Sequence, residues 1–255
     1  MPLEIITVPC LSDNYAFLVH DPQSGKTAVV DAPEAGPIKA ELSQRGWELS
    51  EIWLTHHHDD HIDGVPELLA AYSATVVGAK ADVHRLPKLD RAVSDGDSFT
   101  FGGEVVHILD VSGHTIGHIA LHLPETAALF TADSLMALGC GRLFEGTPAQ
   151  MFASLQKTTA MPDETTVYSG HEYTASNATF ASTVDPENPA LISRILDITA
   201  KRKNSQPTVP SSLQLERATN PFLRAHDPAI QAHLNMVGAA PVDLFTEIRA
   251  RKDRF

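Results

Sequence analysis

The chain's 255 residues, 43% hydrophobic and 20% charged, have the proportions of a soluble globular protein and leave room for one large domain or for a domain with a smaller partner. A formal net charge of -13 argues against nucleic acid or an anionic membrane as the main partner, because both attract basic surfaces. No apolar run approaches the roughly 20 residues that cross a bilayer, and the start MPLEIITVPC reads as a strand rather than a signal peptide, so the expected compartment is the cytoplasm.

In chain order, apolar or β-branched runs bounded by Gly, Pro, Asp or Ser predict strands at LEIITV, YAFLVH, KTAVVDA, SEIWLTH, ATVVGA, EVVHILDVS, HIALHL, AALFTA and TTVYSG. Helices are predicted between them. These are PIKAELSQRG with Gly46 as its stop, VPELLAAYS, and TPAQMFASLQKTTA with Thr147 as cap and Pro148 at the first helical position. Beyond about residue 173 helical patterns take over. TASNATFASTV is followed by a DPENP break, and ALISRILDITAKRK then carries Leu191, Ile192, Ile195, Leu196 and Ile198 at helical spacing. Ser211 and Gln214 stand in capping-box spacing, and two last helices start at Pro228, after Asp227, and at Pro241. The expectation is an α+β chain in which residues 1–172 form a β-rich sandwich with helices outside and residues 173–255 a helical domain. Cys10 and Cys140 have no CxxC spacing and are expected to be reduced and not to bind metal.

The stretch LTHHHDDHIDG puts His56, His57, His58 and His61 beside Asp59, Asp60 and Asp63 at the end of an apolar strand. So many imidazoles are costly to pack without a partner, and a metal ion is the usual one. In an extended chain His56 and His58 share a side while His57 points away. Three further donors, His114, Asp133 and His171, also follow apolar runs, where loops at strand ends can converge. The set holds only nitrogen and oxygen, which suits zinc, iron(II), manganese or cobalt. Asp31 ends another strand and is expected to orient a ligand or to be structural. His118 is close enough to His114 in sequence to support it.

THHHDDHIDG, SGHTIGH, FTADSL and YSGHEY resemble the ligand motifs of the metallo-β-lactamase superfamily. SDNYAFLV, GCGRLFEGT, PTVPSSL, NPFLR and IRARKDRF extend the resemblance over nearly the whole chain to the glyoxalase II family, the hydroxyacylglutathione hydrolases. That resemblance implies a four-layer αββα sandwich with a C-terminal helical domain. It implies two divalent ions, zinc first and iron or manganese as alternatives, with His56, His58 and His114 on one, Asp60, His61 and His171 on the other, and Asp133 bridging. Asp60 and Asp133 would thereby be the catalytic carboxylates, beside a bridging hydroxide that attacks the thioester. His57 and Asp59 are left as non-ligands, Asp59 with a supporting role.

The implied substrate is an S-(2-hydroxyacyl)glutathione such as S-D-lactoylglutathione, cleaved to glutathione and D-lactate in the second step of methylglyoxal detoxification by a monomer. Glutathione is anionic, and the C-terminal helix offers a basic face with Arg249 and Lys252 three residues apart. In the family the residues matching these two bind the glycine carboxylate, those matching Arg142 and Tyr173 also contact the tripeptide, and Phe144 falls at a further substrate-binding position. Phe144 stands where animal and plant members have Tyr, so a hydroxyl contact is expected to be absent. Asp63 replaces a residue that is commonly small and is expected to alter the turn or bond a ligand. The rival enzyme reading is a glutathione persulfide dioxygenase with one iron. A metal-sensing protein without catalysis is the non-enzyme alternative.

Overall fold

Strand β1 (Glu4–Cys10) pairs antiparallel with β2 (Asn14–His20), and β2 with β3 (Lys26–Val30). Every residue of β2 is buried, as a strand covered on both faces requires. Helix α1 (Ala35–Arg45) buries Ala35, Ile38 and Leu42 and ends as predicted at Gly46, whose φ of 69° is left-handed. It carries the chain to β4 (Glu48–Trp53), parallel to β3. Two short helices, α2 (Asp59–Ile62) and α3 (Val65–Ala71), lead to β5 (Thr75–Ala79), and β6 (Arg91–Val93) follows, both strands parallel to the one before. The six strands form one sheet in chain order, with α1 against β1 and β4 and α3 beside α1.

These elements belong to the first of two units in the computed structural model, which describes residues 2–255. That unit runs up to Asp110 and takes in Gly117–Thr131. It also holds β7 (Ser98–Phe101), β8 (Glu104–Asp110), β9 (Ile119–Leu123) and most of β10 (Ala128–Ala132), antiparallel in the order β10-β9-β8-β7. Trp53 of the first sheet meets the rings of Phe99 and Phe101 edge-on at 5.4 and 5.0 Å, and Phe17 meets Phe130 at 5.7 Å. The two sheets therefore share a core, each such aromatic pair adding about 0.5–1.5 kcal/mol beyond its buried area.

The second unit comprises Val111–Ile116 and Ala132–Phe255. A small hairpin of β11 (Leu135–Met136) and β12 (Gly139–Cys140) turns through Leu138 at a φ of 57°. Helix α4 (Pro148–Thr159) has the predicted cap: Thr147 accepts from the Gln150 N–H, and the Gln150 side chain accepts from the Thr147 N–H. Strand β13 (Thr166–Ser169) pairs with β14 (Ser211–Ser212), and α5 (Thr174–Val184), α6 (Pro189–Lys203), α7 (Leu213–Thr219), α8 (Pro228–His233) and α9 (Pro241–Arg254) complete the unit. Its core gathers Phe180, Phe222, Phe245, Leu244 and Ile248 with Leu135, Met151 and Leu155.

Two local expectations are corrected. Ser212, not Ser211, caps α7, accepting from the Leu215 N–H. Ser211 lies opposite Val167 in β14 and donates its hydroxyl to Glu216 at 2.6 Å, so it is not available as a cap. On α6 the buried stripe is Leu191, Arg194 and Ile198, whereas Ile192 and Leu196 are exposed. Among the described residues no helix is long and apolar enough to cross a membrane.

Candidate metal centre

In the first unit the His-rich stretch leaves β4 without regular structure, and His58 is extended as it caps α2. His56 Nε2 stands 3.2 Å from His58 Nδ1, while His57 turns away to Asp82 Oδ2 at 3.2 Å. Two ring nitrogens at that separation need a proton or a cation between them. Beside this pair, His61 Nε2 faces Asp60 Oδ2 at 3.8 Å.

Asp31 fixes which nitrogen of each ring is presented. Its carboxylate accepts from the Thr55 N–H at 2.9 Å and the Thr55 hydroxyl at 2.8 Å, and lies 2.8 Å from His61 Nδ1. The Thr55 hydroxyl, spent as a donor to Asp31, is left to accept from His56 Nδ1 at 3.0 Å. Both rings thus carry their proton on Nδ1 and present the Nε2 lone pair, the form a cation takes. Asp31, His56 and His61 also bring ligand-type atoms within 4.8 Å of one another, but Asp31 reaches His61 and, through Thr55, His56 on their Nδ1 sides, so it orients them. Asp31 holds a left-handed φ of 56°, which Asp and Asn tolerate. Asp31→Asn is therefore expected to fold and to lower metal affinity by about 10- to 100-fold, read by competition with a chelator; unchanged affinity would remove Asp31 from this role.

Asn14, which the SDNYAFLV motif contains without announcing a role, is buried and donates to both the backbone oxygen and the Oδ2 of Asp60, at 2.9 and 3.0 Å. His118 lies fully buried and stacks on His56 at 4.6 Å. Asp82, which also binds Arg85, sits so close to Gly117 that an added Cβ would lie 2.1 Å from its Cγ. Asp63 is exposed at the end of α2, its N–H on Asp59 O, and Asp59 is exposed too.

The second unit holds His114, Asp133 and His171. Asp133 Oδ2 lies 3.5 Å from His114 Nε2 and 3.3 Å from His171 Nε2, so one carboxylate oxygen stands between two imidazoles. His114 Nδ1 contacts the Arg142 carbonyl at 2.7 Å. A carbonyl only accepts, so Nδ1 carries the proton and, in the neutral ring, an Nε2 lone pair faces a carboxylate oxygen. A cation relieves that repulsion. The donors are imidazole and carboxylate in both units, a set that fits zinc, iron or manganese. Backbone geometry serves the same place: Ala132 before Asp133 has a φ of 40°, and a Cβ on Gly141 would lie 1.9 Å from the Asp133 carbonyl oxygen.

Two of the expected substrate residues stand beside these histidines. Tyr173 stacks on the His171 ring at 4.6 Å, and Phe144 stands edge-on to His114 at 5.3 Å with most of its surface exposed. Arg142 is exposed, whereas Arg249 is buried and donates to the Cys140 carbonyl at 2.9 Å and to Asp253. Lys252 Nζ lies over the rings of Phe180 and Phe255 at 5.2 and 5.3 Å, and burial, then Arg249, lowers its pKa. Cys10 and Cys140 are free and buried, and burial pushes both thiols up to about 11.

Residues 11–171 match the family model of the metallo-beta-lactamase superfamily, and residues 172–255 match that of the hydroxyacylglutathione hydrolase C-terminus. Among curated proteins, the hydroxyacylglutathione hydrolase of Ruegeria pomeroyi is 66% identical over 255 residues, covering 100% of both chains. That of Roseobacter denitrificans is 62% identical with the same full coverage. Among solved structures, the BLEG-1 B3 metallo-beta-lactamase superposes with a TM-score of 0.67 at 19% identity, over 86% of this chain and 99% of that one. ETHE1 from Myxococcus xanthus gives 0.64 at 23% identity, over 99% and 98%. A di-iron-bound form of TTHA1623 gives 0.62 at 25% identity, over 86% and 100%. The metallo-β-lactamase fold, α+β with a helical C-terminal region, is thus the one the sequence led us to expect.

Proposed function

Because this chain belongs to the hydroxyacylglutathione hydrolase family of the metallo-β-lactamase superfamily, we infer that it hydrolyses S-(2-hydroxyacyl)glutathione thioesters, S-D-lactoylglutathione foremost, to glutathione and the 2-hydroxy acid. The observation that carries this reading is the full-length likeness to curated hydroxyacylglutathione hydrolases, joined to imidazole and carboxylate donors oriented for divalent cations.

In this proposal His56, His58 and His114 would hold one ion, Asp60, His61 and His171 would hold the second, and Asp133 would serve both. Zinc is the ion we favour, with iron or manganese as alternatives. Bound divalent ions supply a water that ionises near neutral pH and a Lewis acid for the thioester oxygen. The chain's own part is to keep the donors deprotonated and aimed, through Asp31, Thr55 and Asn14, and to hold the anionic thiol portion of the substrate. Residues 1–172 carry the ligands in this reading and residues 173–255 most of the substrate contacts. Arg142, Arg249 and Lys252 supply the positive potential that an acidic chain otherwise denies to a tripeptide with two carboxylates. Tyr173 and Phe144 line its path. We take the enzyme to act as a cytoplasmic monomer in the second step of methylglyoxal removal.

Replacing Arg249 and Lys252 together is expected to raise KM by about tenfold or more with a smaller change in kcat, since each removes a charged hydrogen-bonding group. An unchanged KM would remove Arg249 and Lys252 as substrate contacts. The reading as a whole is tested by loss of the thioester absorbance of S-D-lactoylglutathione. Oxygen uptake with glutathione persulfide and no thioester hydrolysis would instead indicate the dioxygenase, which the C-terminal family match and the full-length relatives do not favour.

A further inference from the structure

We propose that Asp253 is a built-in counter-ion that limits how tightly the basic subsite holds the carboxylate of its substrate and product. The proposal rests on the function inferred above. Asp253 Oδ1 accepts from Arg249 Nε at 3.1 Å and from Arg249 NH2 at 2.8 Å, and Arg142 Nε, from outside the helix, lies 3.7 Å from the same oxygen. Two guanidinium groups from separate segments therefore converge on one carboxylate oxygen, the arrangement that a substrate carboxylate would itself seek.

Helix stability does not account for an acid at this position. Asp253 lies in the last turn of α9, where the macrodipole disfavours negative charge and where Arg251, Lys252 and Arg254 follow the usual preference. The pair also runs Arg at i and Asp at i+4, the weaker order for a helical ion pair. Arg249 is buried and its NH1 is engaged by the Cys140 carbonyl and Sγ, so an arriving carboxylate must share the fork with Asp253. The side chain of Asp253 is 38% exposed, which lets it yield part of that contact. Sharing weakens capture of glutathione and hastens its release after hydrolysis.

Asp253→Asn tests this, because the amide oxygen still accepts from Arg249 while the charge is gone. KM for S-D-lactoylglutathione and the inhibition constant of glutathione are expected to fall by about three- to fivefold, the range of a partly exposed ion pair, and the gain to shrink as salt rises. The ratio of KM values between this substrate and an N-acetylcysteamine thioester, which has no carboxylate, should shift by the same factor. A rise in KM for the glutathione thioester, or an equal change with both thioesters, would overturn the proposal by making Asp253 an orienting residue only. Should the wild type not hydrolyse the glutathione thioester, the inferred function fails separately. Calorimetric binding of glutathione to wild type and variant then decides, tighter binding to the variant supporting the counter-ion and equal or weaker binding rejecting it.

Discussion

Asp60→Ala is expected to remain folded, to bind one divalent ion per chain in place of two, and to lose hydrolysis by more than about a hundredfold, beyond the range typical for residues that only orient ligands. Three contacts motivate the expectation. Asp60 Oδ2 faces His61 Nε2, and Asn14 holds that same oxygen and the Asp60 backbone oxygen. Asn14 keeps the backbone acceptor when the side chain is removed, so the loss should fall on the ion rather than on the fold. Metal analysis and thermal melting on one preparation separate the two. Retention of both ions together with full activity would refute Asp60 as a ligand.

Glu216→Ala should produce the largest loss of stability. Glu216 is fully buried and joins distant segments: it accepts from Arg194 and the Ser211 hydroxyl on one oxygen, and from the Leu138 N–H and Asn220 on the other. Asn220 also ties the carbonyls of Met136 and Gly139. Removing the carboxylate leaves the buried Arg194 charge and the Leu138 N–H uncompensated, a loss of about 3–5 kcal/mol. In a chain of this size that lowers the melting midpoint by roughly 6–10 °C. Glu216→Gln should lose less, because its oxygen can keep the Leu138 N–H. A midpoint for the alanine variant within about 2 °C of wild type would show that the network is not coupled to folding.

The fold was legible wherever apolar runs were long enough to be distinctive, as in YAFLVH or AALFTA. Strands β6 and β7 escaped because RAV and SFTF are short and open with exposed residues, so they owe their form to pairing with neighbours. Ser211 and Gln214 matched the capping-box spacing, but the buried demand of Glu216 takes the Ser211 hydroxyl and leaves Ser212 as the α7 cap. The candidate ligands stood out as imidazole and carboxylate after apolar runs. Of their support Asp31, at a strand end, was anticipated, but its partners were not: Thr55 and His61 lie 24 and 30 residues from Asp31, and Asn14 lies 46 from Asp60, distances over which no local pattern speaks. Arg249 and Lys252 were visible as one basic face, but only packing shows the arginine buried and paired with Asp253.

The most direct test is metal titration of the metal-free protein, followed by calorimetry with S-D-lactoylglutathione hydrolysis measured at each addition. Two ions per chain are expected to bind, with activity that rises as the sites fill. Hydrolysis that persists with a chelator in excess, or saturation at a single ion, would contradict it.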